Sequence, residues 1–481
     1  MSRRPVRALT LAVSVAWAEL RHNPLRAALL AVRLLPAPVR RALRPLEARL
    51  RAAPTGMSDE SCPARVPAPP GRAILPVRGR VLHLVVRGVP HEQEAPALRT
   101  QELTRAQSAA GLDPHVVTRI GFPVTQGVFD ARPLHLLEGV PQHRLLPRWL
   151  PYGPGPVLAR NTELAARLVE RVRPSVLHAS GDHGDGRVAL ALRETYGLPV
   201  VYEVRVFREE SWLAEARGRS RGDAAYRARR ELETYCMRES DAVLTPGEAM
   251  KEEIVSRGVP EERVHVVPHA VDPLFLEPLP DGGPLRARLG IGPEEYVVGT
   301  VGGLTRHEGI GTLLEAGAEL RRRGVPLRLL VVGDGPERRA LQELAGRLGL
   351  GDGTALFTGR VPLQQVRNHH AVLDVFAVPR TDERVCHLVT PLEPVEAMAS
   401  GLPVVASDVP AMRELVESGV NGRLIPSKSP LAWAEALELL LENPRTRDAW
   451  GAAGRTLVTR ERTWARVAAT TRDTYRALGC L

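Results

Sequence analysis

The sequence predicts an α/β protein built from doubly wound parallel-sheet domains, two of them, preceded by a basic extension. Apolar strand-like runs alternate with helical stretches over residues 79–275 and again over 286–462, the rhythm of strands joined by crossover helices. A proline- and glycine-rich break at 276–285 separates the halves, and glycine turns follow strand-like runs at Gly302-Gly303 and Gly333. With 481 residues and 44% hydrophobic content the chain can bury two sizeable cores.

The net charge of +10 is local. Residues 1–52 hold eleven arginines against Glu19 and Glu47, about +9, so the remainder is nearly neutral. That pattern argues against a broad nucleic-acid surface, and no nucleic-acid partner is expected. Arg26, Arg33 and Arg40 recur every seventh residue with leucines between them, until Pro36 and Pro38 interrupt the pattern. The arm reads either as an anchor to an anionic membrane surface or as a loosely ordered basic extension. Its apolar run, Ala8 to Ala18, is too short to span a bilayer and has the outline of a signal peptide, but dense arginines follow it. Residues 53–78, rich in proline, read as a linker. Cys62, Cys236, Cys386 and Cys480 form no C-x-x-C pair, so no disulfide framework or cysteine zinc site is indicated.

In the first domain, Val81 to Val86 reads as a strand, Ala97 to Ala110 as a helix and Val116 to Ile120 as a strand. The alternation resumes at Ser175 to Ala179 and Gly186 to Tyr196, and continues through Pro199 to Val204, Ala224 to Arg238, Ala242 to Thr245, Glu248 to Arg257 and Val264 to Pro268. Ligands of such sheets bind beyond the carboxyl ends of the strands. There stand Arg99, which faces either the cleft or solvent, and His178 and His183, either structural or catalytic. Glu203 and Arg205 share one face of a strand end, where they pair with each other or meet a substrate hydroxyl. Glu231 and Glu233 read as solvent-facing.

In the second domain, Tyr296 to Val301 reads as a strand running into Gly302-Gly303, with a helix at 311–323. Leu327 to Val332 leads into Gly333-Asp334-Gly335-Pro336, and Val375 to Val378 delivers Arg380 and Arg384. The stretch 388–408, LVTPLEPVEAMASGLPVVASD, then gives a loop, a short helix and a strand, with Glu396 early on the helix. A helix start offers unpaired N–H groups to a phosphate, and a nearby carboxylate accepts from sugar hydroxyls. Helices at 431–442 and 446–458 follow, and 463–481 holds a last helix.

These stretches resemble the family 4 glycosyltransferases, retaining enzymes of the GT-B fold, over about residues 80–475. Residues 388–399 are similar to a bacterial subgroup's L-V-T-P-L-K-P-L-E-A-M-A, Pro90 to Thr100 to its P-H-x-Q-S-G-Y-x-L-R-T, and Tyr202 to Glu210 to its Y-E-V-R-G-F-x-E-E. Val266 to Asp272, Gly302 to Gly309, Val332 to Pro336 and Phe357 to Val361 match further family elements. Ala95 replaces a family glycine, Ser180 a histidine, and His269-Ala270 the pair Asn-Gly. Glu393 stands where the subgroup has lysine, and the first donor glutamate falls at His387 or Leu388. A carboxylate about 6 Å from a phosphate charge costs roughly 3 kcal/mol at an effective dielectric near 20, so either Arg380 and Arg384 offset it or donor binding is weak.

The resemblance implies two facing Rossmann-like lobes, the last helix crossing back to the first, and a nucleotide sugar, UDP- or GDP-linked, in the cleft. It implies catalytic roles for His178, Glu203 and Arg205. Donor binding falls to Gly302, Gly303, Arg306, Gly333, Arg360, Arg380, Arg384, Thr390, Pro391, Leu392 and Glu396, and acceptor binding to Arg99, His183, Glu209 and Glu210. No cofactor and no obligatory metal is implied, and no D-x-D motif is present. The expected acceptor is a glycan, a lipid-linked sugar or a small molecule, in a cytoplasmic enzyme that is peripheral at the inner membrane face if the arm is an anchor and not a loose extension. A catalytically degenerate binding or scaffolding subunit is the other reading of His387, Glu393 and Ala95.

Overall fold

The structure, a computed structural model, describes residues 64–151, 153–215 and 218–481. The basic arm at 1–52, with its membrane and signal-like readings, lies outside the described residues, as does the first part of the expected linker. Among the described residues no helix is long and apolar enough to cross a membrane.

The first sheet has eight strands: β1 Arg80–Val85, β2 Asp113–Thr118, β3 Leu134–Leu137, β4 Val140–Arg144, β5 Val176–Ser180, β6 Val200–Glu203, β7 Ala242–Thr245 and β8 Val264–Val266. Their order is β3-β4-β2-β1-β5-β6-β7-β8, parallel except for the β3/β4 hairpin. The second sheet has six: β9 Tyr296–Val301, β10 Leu327–Val332, β11 Ala355–Gly359, β12 Val375–Val378, β13 Val404–Ser407 and β14 Gly422–Ile425. Their order is β11-β10-β9-β12-β13-β14. Central strands such as β5 (VLHAS) and β12 (VFAV) are buried at every residue, as helices on both faces require. In each sheet the chain winds one way and then the other from a central strand, so switch points fall between β1 and β5 and between β9 and β12. Loops diverge at those points and leave a crevice.

Three features differ from the sequence reading. Between Val116 to Ile120 and Ser175 the structure inserts the β3/β4 hairpin and a helix at Pro154–Val172. The hairpin escapes a hydrophobic pattern because it turns Gln142 and Arg144 inward and leaves Leu134 and Leu136 exposed. The described part of the expected linker is strapped to the first domain: Arg65 forms a two-pronged pair with Glu194, and Thr195 donates to the Pro69 carbonyl at 2.7 Å. Val271 and Phe275, at the end of the expected first domain and before the expected hinge, already pack in the second core.

The last helix, Trp464–Ala477, returns to the first domain. Val467 and Tyr475 pack with Val81, Leu103 and Val176. The lobes also meet through a carboxylate cap: Glu414 of the second domain accepts from the N–H groups of Glu248 (3.0 Å) and Ala249 (2.8 Å), which begin the helix Glu248–Ser256 of the first. Unpaired N–H groups and the helix dipole make that end favourable to an anion.

Candidate active site

The second-domain side of the cleft lies at the β9/β12 switch point. Gly302 and Gly333 immediately follow β9 and β10 with φ of +156° and +142°, and a Cβ on Gly333 would fall 1.8 Å from the Gly302 carbonyl oxygen. Only glycine allows the two strand ends to approach so closely. Gly302, Gly303, Glu308, Phe376, Pro391 and Glu393 line the small crevice between that turn and the helix Glu393–Ala399.

Its charges are mostly carboxylates. Arg380 donates to Glu308 at 2.8 and 3.2 Å and to the Val389 carbonyl at 3.1 Å, so it is committed within the protein. Burial, then Glu308, raise the Glu393 carboxyl, and Arg380 only partly opposes them. Burial, then Glu393 and Asp272, hold the Glu396 carboxyl well above the usual range. Glu396 has no ion pair among the described residues. Arg306 is exposed and meets Glu383 at 3.1 Å, and Arg360 is exposed just after β11. Thr390 is buried with an unpartnered Oγ1, Pro391 lines the crevice, and Leu392 packs on the second core.

Arg384 corrects the expectation that it offsets Glu393. It reaches across to the first domain instead, donating to Glu210 at 3.1 Å and to Glu253. Glu210 also accepts from Tyr226 Oη at 2.6 Å. Glu209 corrects its acceptor role, since it is wholly enclosed and paired with Arg257 at 2.6 Å. A buried carboxylate requires such a partner, which leaves no face for a ligand. Glu233 corrects the solvent-facing reading: it is buried, accepts from Tyr202 Oη and from the His183 N–H at 3.1 Å, and burial raises its carboxyl to about 7.

The remaining first-domain residues form one network. Glu203, buried, receives Arg99 on Oε1 (3.0 and 2.8 Å) and Arg205 on Oε2 (2.9 and 2.6 Å). Burial pushes the Glu203 carboxyl up, but Arg205 and Arg99 outweigh it and hold it well below the usual range. His178, fully buried, lies against His83 with the rings tilted by 33° and their centroids 4.6 Å apart, and places Nδ1 2.6 Å from Tyr475 Oη, with Nε2 3.6 Å from Glu203. The three expected catalytic side chains are thus adjacent. His178, though, reaches the cleft only through Glu203. His183 begins the helix His183–Tyr196, mostly buried, and burial lowers its imidazole to about 4.

Between the lobes opens a cleft of ≈ 460 Å³, whose lining includes Glu210, Arg219, Arg221, Arg306, Glu383 and Arg384. Arg219 and Arg221 were missed in the sequence reading. Their glycine-bounded position, between Gly218 and Gly222, is the signal that marks a cationic loop. Arg221 is exposed, whereas Arg219 lies over the Trp212 ring at 4.4 Å.

Residues 97–274 match the family described as Glycosyltransferase Family 4, and 284–457 that described as Glycosyl transferases group 1. The chain is 32% identical to a D-inositol 3-phosphate glycosyltransferase of Nocardia farcinica over 53% of this chain and 56% of that one. It is 35% identical to a GDP-mannose-dependent alpha-(1-6)-phosphatidylinositol monomannoside mannosyltransferase of Mycolicibacterium smegmatis, over 41% of this chain and 52% of that one. It spans about half the length of these relatives. A solved sucrose-phosphate synthase from Thermosynechococcus elongatus superposes with a TM-score of 0.66 at 21% identity, covering 83% of this chain and 99% of that one, a likeness of fold. With both family matches falling on the two sheet domains just described, the chain belongs to the family 4 glycosyltransferases and has their GT-B fold.

Proposed function

We propose that the protein transfers a sugar, with retention, from a nucleoside-diphosphate sugar to a glycan, lipid-linked or small-molecule acceptor in envelope or exopolysaccharide synthesis. The observation that carries this reading is Glu396, a half-buried carboxylate beside the β9/β12 crevice with no cation of its own. Sugar hydroxyls are donors that suit such a carboxylate. Gly302, Gly303 and Pro391 supply close-approach backbone to the same donor, and Arg306 and Arg221 supply charge for its diphosphate from the cleft walls. In this reading the donor is UDP- or GDP-linked. The GDP-mannose dependence named for the Mycolicibacterium relative supports including guanosine donors. The acceptor meets Arg99, Arg205 and Glu203 at the edge of the first sheet, and His178 and Tyr475 position that carboxylate rather than touch substrate. The basic arm supplies the contact to an anionic membrane face.

A second reading, a non-catalytic binding or scaffolding subunit, draws on one observation: Arg380 is spent on Glu308, which leaves Glu393 without a paired cation in the crevice. Calorimetric titration of the full chain with UDP, GDP and their sugars, beside Glu396→Ala, followed by hydrolysis of any binder, separates the two. Binding lost in the variant together with slow sugar release is the expected result. Binding without release favours the second reading, and no binding by folded protein removes the donor site altogether.

A further inference from the structure

Away from the β9/β12 crevice, three side chains from separate stretches converge at the β3 edge of the first sheet. His91 comes from the loop after β1, Asp130 from the loop before β3, and His135 from β3 itself. One nitrogen or oxygen of each lies within 4.8 Å of the others. His91 Nε2 is 3.1 Å and His135 Nε2 3.2 Å from Asp130 Oδ2, and the rings stand edge-on with centroids 5.3 Å apart. The side chains are only 14%, 11% and 8% exposed, so the cluster is a pocketed group and not a surface coincidence.

His91 Nε2 hydrogen-bonds Asp130 Oδ2, but hydrogen bonding does not account for the place of His135. His135 Nε2 is buried and makes no hydrogen bond, although a carboxylate oxygen stands 3.2 Å away, because the angles are wrong for one. A buried polar atom without a partner calls for an explanation. Asp130 is held from outside, its Oδ1 accepting from the Arg132 N–H at 2.9 Å and from Arg132 Nε at 3.0 Å, while Oδ2, which also takes Arg132 Nη2 at 2.6 Å, faces both imidazoles. That is the relation of an outer-shell group orienting a metal-binding carboxylate.

We propose that His91, Asp130 and His135 bind one divalent first-row transition cation, of the Zn²⁺ or Co²⁺ type. Two imidazoles and a carboxylate suit such a cation, whereas Mg²⁺ and Ca²⁺ select all-oxygen sets. The remaining positions are left to water. Arg132 and Arg144 oppose a cation there, so binding is weaker than at a closed structural zinc site. The site ties the loop after β1, which leads into the helix Ala95–Ala109 and Arg99, to the sheet edge. It is distinct from the glycosyl-transfer reading and does not depend on it.

The test is titration of the full chain, free of affinity-tag histidines and stripped of metal by chelation, with Zn²⁺ by calorimetry and with Co²⁺ by visible absorption. One saturable equivalent is expected, with Mg²⁺ silent. His91→Ala and Asp130→Asn should each weaken it at least ten-fold with unchanged far-ultraviolet circular dichroism. Zn²⁺ should also slow proteolysis of the segment around residues 87–96 in the natural protein and not in His91→Ala. No saturable uptake, or uptake unchanged in both folded variants, overturns the proposal.

Discussion

Tyr475, near the end of the last helix, places its hydroxyl 2.6 Å from Nδ1 of His178 at the centre of the first sheet. The same hydroxyl receives Gln107 Nε2 at 3.0 Å, and Gln107 in turn meets His83 at 2.7 Å. The C-terminal crossing therefore supplies, through Tyr475 and Thr471, partners for buried polar atoms of the first domain. All five residues are buried, so water is no substitute.

Tyr475→Phe removes the hydroxyl and keeps the ring. Because it leaves His178 Nδ1 without a partner in a buried layer, while Gln107 keeps His83 and Thr471, a loss of about 1–3 kcal/mol is expected. Chemical denaturation reads it directly. An unchanged midpoint would show that the crossing helix is held by its apolar face, through Val467 and its neighbours, and not by this hydroxyl.

Much of this was legible in the sequence where an element is an apolar run between turns. Ala242–Thr245, Tyr296–Val301, Leu327–Val332 and Val375–Val378 are strands with the bounds the sequence suggests. The pairing of Glu203 with Arg205 followed from their alternation at a strand end, whereas His178 joined them only through the family resemblance. What stayed hidden depends on partners far apart in the chain. Glu209 reads as an acceptor contact until Arg257 closes on it, and Arg384 reads as a donor-site cation until Glu210 and Glu253 claim it. The β3/β4 hairpin was missed because an edge strand inverts the usual pattern of apolar inside and polar outside. His91, Asp130 and His135 carry no motif spacing, so only the fold unites them.

Glu233 gives the fold a pH dependence. Burial raises its carboxyl to about 7 in the folded protein against an ordinary value of 4.5, with the Tyr202 hydrogen bond opposing. The folded state therefore holds this proton more tightly than the unfolded state. Its contribution is full below pH 4.5 and is lost as pH rises through about 7. A shift of that size corresponds to at most ~3 kcal/mol. Glu233→Gln, which cannot ionise, should flatten the decline between those limits and be relatively more stable at pH 8. Urea unfolding at pH 5 and pH 8 measures it, and parallel profiles for the two proteins would refute the assignment.

Arg384 ties the lobes together through Glu210 and Glu253, whose side chains are nearly buried while its own is one-third exposed. Allowing for solvent screening, Arg384→Ala should weaken the closed arrangement by about 1–2 kcal/mol. The expected signs are a larger radius of gyration in solution scattering and faster amide exchange in the helix Arg208–Glu215, with the second-domain sheet unaffected. Had Arg384 served the donor instead, the variant would lose nucleotide binding with no change in shape.

Gly333 is the position where the second-domain turn is least forgiving. Its φ of +142° is one that L side chains rarely adopt, and a Cβ would strike the Gly302 carbonyl oxygen at 1.8 Å, against backbone rather than a flexible side chain. Gly333→Ala must therefore push apart the ends of β9 and β10, and with them the Gly302-Gly303 turn that faces Glu393. Strain of this kind costs on the order of 1–3 kcal/mol. The damage should be local, because the strand cores at Val298 and Leu330 lie deeper. The expected outcome is a lowered melting temperature together with nucleotide affinity reduced at least ten-fold, while uptake of Zn²⁺ at the distant His91 cluster is kept. Unaltered nucleotide affinity in a protein with the expected loss of stability would mean that the donor does not use this turn.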